Sequence, residues 1–360
     1  MNEPEFWSKA PGLPGLRALV IGDAVLDRWV RAEPTRLSRE APVPVYRERS
    51  EQLRAGGAAN VALNLAQLGA QVDFVGALGA DAEGREVLEQ LRAAGVGVEH
   101  ALALAEYRTP RKTRVLASAP HRQPVQVLRL DRDPEAPLGA KQRARLARRM
   151  MRAAEAGSER YGLAILSDYG YGHLGEELQA PMTSLAERGT CCVLDPRRLE
   201  FQAAGLTALT PNLEDLARRA GQEPALLEDP AELERAALGW LAETSARYLL
   251  ATLGRAGMAL FGPDGELARV PSAGGDRVVD VSGAGDTAAA WFAVALGSGF
   301  DPVRAMEIAN AAAGCSVLKL GTAAPNRSEV QALLMRVPRA KTNSPFSPPP
   351  LHPANQDPAR

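Results

Sequence analysis

VVDVSGAGDTAAAWFAVAL, residues Val278–Leu296, is the stretch whose reading decides the fold. Val278 and Val279 open a short β run, Gly283 and Gly285 make a turn, and an apolar helix begins near Asp286. The first backbone N–H groups of a helix lack intrahelical acceptors and carry the positive end of its dipole. A glycine-rich helix start therefore binds anions, phosphate above all. Asp286 stands where its own charge would repel such a phosphate. As an N-cap or first-turn aspartate it would stabilise the helix by about 1 kcal/mol. As a general base it would take the proton from an attacking hydroxyl while Gly283, Ala284 and Gly285 hold the transferring phosphoryl group.

Outward from that stretch, the chain reads as alternating α and β segments. Leu16–Gly22 (LRALVIG) has the length of a buried strand and is followed by Asp23 and Asp27, carboxylates at the strand end where α/β proteins bind ligands; capping suits Asp23. Residues 31–54 are polar and punctuated by proline, with Val43, Val45 and Tyr46 alternating, a pattern of short edge strands standing off the main fold. Gly56, Gly57 and Asn60 open a helix closed by Gly69, and further αβ units follow, which predicts a doubly wound sheet. Thr109–Asp131 returns to β alternation. Lys112, Arg114 and Arg129 share a strand face there, as a solvated face or as a patch for a substrate phosphate. The intervening His121 reads as surface.

Ala140–Ala156 reads as a basic helix, and GYGHLG (Gly170–Gly175) satisfies G-x-G-x-x-G. Ser167, Asp168 and Tyr169 separate its first glycine from the preceding strand, which loosens the tight turn a dinucleotide fingerprint needs. Asn212 and Asp215 fall three apart at a helix start, as caps or as ligands. Thr252, Gly254 and Gly257 make a turn suited to nucleotide phosphates, and Met306–Leu318 is rich in small residues, which suits packing on an adenine or on another helix. No Gly-Lys pair exists, so a P-loop lysine is excluded.

The 360 residues are 46% hydrophobic and 24% charged with a net charge of −1, a composition that describes a soluble globular protein and points to no nucleic-acid partner. The opening MNEPEFWSKAPGLPGL lacks an apolar signal core, and no apolar run approaches the ~18 residues of a membrane span, so no membrane association and a cytoplasmic location are expected. Cys191, Cys192 and Cys315 suit core packing and form no metal pattern. Beyond Val337 the proline density predicts a disordered tail, 338–360, after one domain spanning 1–337.

DVSGAGDT (Asp280–Thr287) resembles the C-terminal signature of the ribokinase-like (PfkB) carbohydrate kinases, and AGGAANVALNLAQLGA (Ala55–Ala70) resembles their N-terminal signature. RLSREAPVPV (Arg36–Val45), TPRKTRVL (Thr109–Leu116), VQVLRLD (Val125–Asp131), ILSDYGYG (Ile165–Gly172), VLDPR (Val193–Arg197) and LTPNLEDL (Leu209–Leu216) are similar to the heptose-7-phosphate kinase branch. The likeness runs from about Leu16 to Val330. It implies a ribokinase-like α/β fold, a doubly wound sheet with a small β-strand lid formed by residues 31–54 and 109–131.

The resemblance further implies ATP and Mg²⁺ as cofactors, with K⁺ as an optional activator. Asp286 would be the base, with Gly283, Ala284 and Gly285 as the anion nest. Asp27, Gly56, Gly57 and Asn60 would hold the sugar, Lys112 and Arg114 its phosphate, and Asn212, Thr252, Gly254, Gly257 and Asn310 the nucleotide. Mg²⁺ would be organised by Asp215, where the family usually has Glu, or by the adjacent Glu214; Asp280 and Ser282 lie where relatives bind a monovalent cation. The implied acceptor is the C1 hydroxyl of D-glycero-β-D-manno-heptose 7-phosphate, giving the 1,7-bisphosphate for ADP-heptose synthesis. Alternatives are kinases for ribose, fructose or a related sugar phosphate, an NAD-dependent dehydrogenase, and a non-catalytic sugar-binding protein. A homodimer through the lid is expected. So is a separate adenylyltransferase, because His100, His121, His173 and His352 form no H-x-G-H motif.

Overall fold

In the computed structural model the described residues are 15–118, 124–155, 160–197, 201, 203–275 and 278–342. In chain order they form β1 (Arg17–Gly22), β2 (Ala24–Leu37), β3 (Pro44–Gly57), α1 (Ala58–Gln67), β4 (Gln71–Val75), β5 (Ala77–Gly79), α2 (Ala82–Ala93) and β6 (Leu102–Leu104). Next come β7 (Arg111–Ala117), β8 (Val125–Arg132), α3 (Ala140–Glu155), β9 (Leu163–Ser167), α4 (Gln179–Glu187), β10 (Cys191–Asp195) and β11 (Ala208–Leu209). The remainder is α5 (Leu213–Ala220), α6 (Pro230–Thr244), β12 (Tyr248–Thr252), β13 (Met258–Gly262), β14 (Gly265–Val270), α7 (Ala284–Gly297), α8 (Pro302–Ser316), α9 (Arg327–Leu334) and β15 (Lys341–Thr342).

A nine-stranded sheet runs β15-β14-β13-β12-β11-β10-β9-β1-β4, parallel from β4 to β12 and antiparallel beyond. Its parallel strands are nearly all apolar because both faces are covered. Side chains alternate across a strand, so each strand feeds two cores. Ala18, Val20, Leu163, Ile165, Val193 and Leu250 join one core with α1, α2, α7, α8 and α9. Leu19, Ile21, Ala164, Leu166, Leu194 and Leu249 join the other with α3, α4, α5 and α6. The doubly wound expectation is met. In α7 every residue from Asp286 to Leu296 is buried, as a helix apolar on all sides requires.

A second sheet, β3-β2-β7-β8, stands off the first. It is larger than its sequence pattern suggests, because only Asp23 separates β1 from β2. Ala24–Val30, apolar apart from Asp27 and Arg28, pair with Glu51–Gly57, so the root of β2 lies in the core, while its tip from Glu33 onward is half-buried or exposed. The β2–β3 register shifts on both sides of Ala32–Pro34, and Pro34 has no N–H to give the ladder.

Two local expectations are corrected, and the loop reading of GYGHLG is met. Val278 and Val279 are not a strand: they lie in an exposed loop, held by bonds from the N–H groups of Val279 and Asp280 to the Val317 carbonyl. Chain order continues past Val337, since Lys341 and Thr342 pair with Arg269 and Ala268 on the sheet edge. Gly170 and Gly172 do not open a helix: α4 begins only at Gln179, after a short 3₁₀ turn, so no helix N-terminus faces the glycines and the dinucleotide reading loses its anion site. His121 and residues 343–360 lie outside the described residues.

Candidate active site

The carboxyl ends of β1, β9 and β10 lie side by side, Gly22 opposite Ser167 and Ser167 opposite Asp195. Against them rests the N-terminus of α7. Gly283 caps this helix with φ 75°, a left-handed conformation; a Cβ there would lie 2.8 Å from Asn60 Nδ2, so glycine is needed on both counts. Asp286 sits in the first helical turn and is 2% exposed. Its Oδ2 accepts from Asn60 Nδ2 at 2.9 Å and its Oδ1 from the Tyr169 hydroxyl at 2.6 Å. Burial pushes its pKa up to about 6, against those two bonds, which favour the charged form. Both readings of Asp286 as a first-turn acid are compatible with this position. Burial of an ionisable group without a salt bridge is the feature a mere cap does not need.

On the far side of the same helix end lies a cavity of about 640 Å³. Ala284, Gly285 and Ala288 line it, as do Thr252, Gly254, Gly257 and Asn310, four of the five residues expected to hold a nucleotide. Asn212 is the fifth; it pairs in a β-bridge with Thr252 and caps α5 by accepting from the Asp215 N–H at 2.8 Å. A Cβ on Gly285 or Gly254 would meet nothing within 4 Å, so both backbones are open to a ligand. Gly257 differs: its Cβ would strike the Val270 carbonyl at 2.0 Å, which makes it a packing glycine. Asn310 spends its amide on the protein, donating to the Pro271 carbonyl at 2.9 Å and accepting from the Ala273 N–H at 3.4 Å. It shapes the cavity wall.

The residues expected to hold the sugar converge at the root of the second sheet. Asp27 is 4% exposed and accepts from Arg114 Nη1 at 2.5 Å; Arg114 in turn lies over the Trp29 ring at 5.0 Å. Burial raises the Asp27 pKa, opposed by Arg114, then Lys112 and Arg129. A Cβ on Gly56 would lie 2.4 Å from Asp27 Oδ2, and one on Gly57, at φ 61°, 2.4 Å from the Asp23 carbonyl. These two glycines bring α1 against the acids. Lys112 is adjacent to Asp27 in register and 3.9 Å from Asp131; burial lowers its pKa. The charge of Arg114 is thus already met by Asp27, whereas Lys112 has only a longer contact with an acid that Arg129 also grips, at 2.7 Å.

The expected cation ligands are arranged differently from a cage. Asp215 accepts from Arg218 Nη1 at 2.8 Å, and Glu214 is exposed. Asp280 accepts from the N–H groups of Ser282 and Gly321, each at 2.9 Å, and so braces the loop before α7. Among the described residues no group of three or more His, Cys, Asp or Glu side chains could hold a metal. The three cysteines are free and buried.

Sequence reasoning assigned no role at the site to Tyr169, Asp195 and Arg197, and read Asp23 as a cap. Asp23 is no helix cap: it is fully buried, accepts from the N–H groups of Tyr169 and Tyr171 at 2.7 and 3.1 Å, and pairs with His173. Tyr169 binds Asp286. Asp195, pushed up to about 8 by burial and by Asp286, accepts from Thr210 Oγ1 at 3.0 Å. Arg197 lies over the Tyr169 ring at 5.4 Å. Their shared signal is position, at or just past the carboxyl ends of adjacent parallel strands.

The family model for the pfkB family of carbohydrate kinases matches residues 16–329. The chain belongs to that family. It is similar to the bifunctional protein HldE of Desulfatibacillum aliphaticivorans, 36% identical over 326 residues that cover 90% of this chain and 64% of that protein. The HldE of Mesorhizobium japonicum is 39% identical over 327 residues, 89% of this chain and 62% of that protein. The chain thus spans less than two thirds of the length of these relatives. Among solved structures, a ribokinase from Arabidopsis thaliana complexed with ribose and ATP matches with a TM-score of 0.64 at 22% identity, over 89% of this chain and 99% of that one. The phosphofructokinase-2 of Escherichia coli in complex with potassium matches with a TM-score of 0.68 at 17% identity, over 90% and 99%. These likenesses show the ribokinase-like fold. No helix among the described residues is long and apolar enough to cross a membrane.

Proposed function

We propose that this carbohydrate kinase transfers the γ-phosphoryl group of ATP to the C1 hydroxyl of D-glycero-β-D-manno-heptose 7-phosphate, forming the 1,7-bisphosphate. The observation that carries the reading is the buried Asp286 carboxylate on one side of the α7 N-terminus, with an open 640 Å³ cavity on the other. The acceptor O–H gives its proton to Asp286. The electron pair left on oxygen forms the new bond to γ-phosphorus as the bond to the ADP oxygen breaks. Backbone N–H groups at Gly283 and Gly285 meet the charge on the transferring oxygens, fixed in place before the reaction, while the Ala284 N–H, also expected in the nest, donates to the Val281 carbonyl at 3.2 Å and holds the turn. Asp27 and Asn60 orient the sugar hydroxyls. Lys112, less committed than Arg114, bears the phosphate contact.

Mg²⁺, when bound, would neutralise charge across the β- and γ-phosphates. With no protein cage among the described residues, it would hang mainly on phosphate and water, with Asn212 and Asp215 touching it through water. A monovalent cation would sit beside the loop braced by Asp280 and Ser282. The second sheet would close over the sugar as a lid and exclude water. Its outer strand exposes Val125, Val127, Leu128 and Leu130, an apolar set that a second copy of this chain would cover. The product would pass in the cytoplasm to other enzymes, a separate adenylyltransferase among them.

The similarity to the HldE proteins supports the heptose acceptor. The test is ADP release from MgATP with heptose 7-phosphate, ribose, fructose and fructose 6-phosphate. Preference for another sugar would overturn the acceptor and leave the kinase; no ADP release with any acceptor would overturn both.

A further inference from the structure

The GYGHLG loop has no place in the nucleotide site, yet the fold anchors it firmly. Asp23 Oδ2 accepts from the N–H groups of Tyr169 and Tyr171, Asp23 Oδ1 meets His173 Nδ1, and His173 Nε2 accepts from the Ala77 N–H at 2.8 Å. Asp168, just upstream, accepts from the Gly170 N–H at 2.9 Å and the Arg197 N–H at 3.2 Å. The loop is therefore tied to β1, to β5 and to the segment after β10. What this anchorage delivers is one side chain, Tyr169, whose hydroxyl ends 2.6 Å from Asp286 Oδ1.

We propose that Tyr169 is a positioning residue for Asp286: its hydroxyl fixes the orientation in which the carboxylate meets the acceptor and sets the pH at which that carboxylate is free to take a proton. This rests on the reading of Asp286 as the general base. With Asn60 on Oδ2 and Tyr169 on Oδ1, the carboxylate is held from both sides and cannot swing, while each oxygen keeps a second lone pair for the acceptor proton. Tyr169 is a constant donor, because burial and the neighbouring Asp286 charge raise its own pKa well above the usual range. The Arg197 guanidinium over its ring steadies the ring plane.

The other charged groups that face Asp286 come from different elements. Asp27 on β2 raises its proton affinity and Arg197 opposes it, while Asp195 at the end of β10 is itself pushed up by Asp286. All of these remain when Tyr169 is changed to Phe, which removes only the hydroxyl. A hydrogen bond to the charged form lowers a carboxyl pKa, so its loss must raise it.

The test has one arm that needs no substrate. In the isolated protein, the Asp286 carboxyl band is identified in the infrared by difference against Asp286→Asn and titrated with and without Tyr169→Phe. The expected result is an upward shift of roughly one to two pH units, the size of one charge-assisted hydrogen bond. In the second arm kcat is followed against pH. At pH 7 Tyr169→Phe should lose about twofold to tenfold more than it loses at about pH 9, where the acid is ionised in both proteins and only the lost orientation remains. In an Asp286→Asn background Tyr169→Phe should change residual transfer little. An unmoved carboxyl band, or a kcat loss equal at every pH, would overturn the proposal and leave Tyr169 as a fold contact. A wild type that phosphorylates no acceptor would instead sink the base assignment, while the infrared arm still decides the Tyr169 contact.

Discussion

Asp286→Asn should make the protein more stable as it makes it less active. The structure supplies the magnitude. Asp286 is fully buried and titrates at about 6 in the fold against 3.8 for an exposed aspartate, a shift of about 2 pH units. At 1.36 kcal/mol per unit, the folded state resists ionising this group by about 3 kcal/mol. The sign follows from proton uptake. Below pH ~4 the group is protonated in both states, so variant and wild type should be equally stable. Between pH ~4 and ~6 the unfolded chain ionises and the fold does not, so the wild type loses stability as pH rises. Above pH ~6 the difference is complete. Removing the charge also relieves Asp195, which Asp286 pushes upward, so the coupled term acts in the same direction. Asparagine can still accept from Asn60 and meet Tyr169, which keeps the packing. Urea titrations at a series of pH values from 4 to 8 would therefore show a gap opening from near zero to about 3 kcal/mol in favour of Asp286→Asn. Over the same variants kcat should fall by about 10²–10⁴, as expected when a general base is lost. A variant less stable than wild type at pH 8, or a gap independent of pH, would refute the electrostatic reasoning. A near-normal kcat would refute the catalytic role.

Three further outcomes are expected. Gly285→Ala should leave the melting temperature nearly unchanged, since the new methyl meets open space, but weaken ATP binding measured by calorimetry; Gly283→Ala should instead destabilise the fold by at least about 1–2 kcal/mol, because it adds strain at φ 75° and a clash with Asn60. Arg114→Met leaves Asp27 buried without its partner and should cost about 3–5 kcal/mol of stability, whereas Lys112→Met should spare stability and raise KM for a phosphorylated sugar roughly tenfold to a hundredfold with no effect on a neutral one. Native protein should react with a thiol reagent far more slowly than urea-unfolded protein, because burial raises the thiol pKa of Cys191 to about 12 and that of Cys315 to about 11; rapid labelling of all three thiols in the native state would contradict the buried positions.

The fold was largely legible because its signals are local. Alternation along LRALVIG and CCVLD assigns each side chain to a face, and a fourteen-residue helix apolar on all sides, α7, has nowhere to go but between layers. Glycine positions were legible for the same reason, since φ 75° at Gly283 is a property of one residue. Charge pairing was not. Lys112 and Arg114 look equivalent in RKTRVL, yet only Arg114 lies close enough to Asp27, 87 residues away, for a 2.5 Å bond. Asp23, Asp168 and Asp195 sit at or just past strand ends, and Asp27 lies inside β2 four residues further on, so the rule that ligands bind at strand ends does not rank these acids. What separates them is which donors arrive: two backbone N–H groups and His173 for Asp23, Arg114 for Asp27, two backbone N–H groups for Asp168, and one threonine hydroxyl for Asp195. A carboxylate rich in donors is held ionised and structural, and one poor in donors keeps a raised proton affinity. By that criterion Asp23 belongs to the scaffold, while Asp195 and Asp286, both met by neutral donors, keep a raised proton affinity; of these two it is Asp286 that stands in the first turn of α7, beside the anion nest.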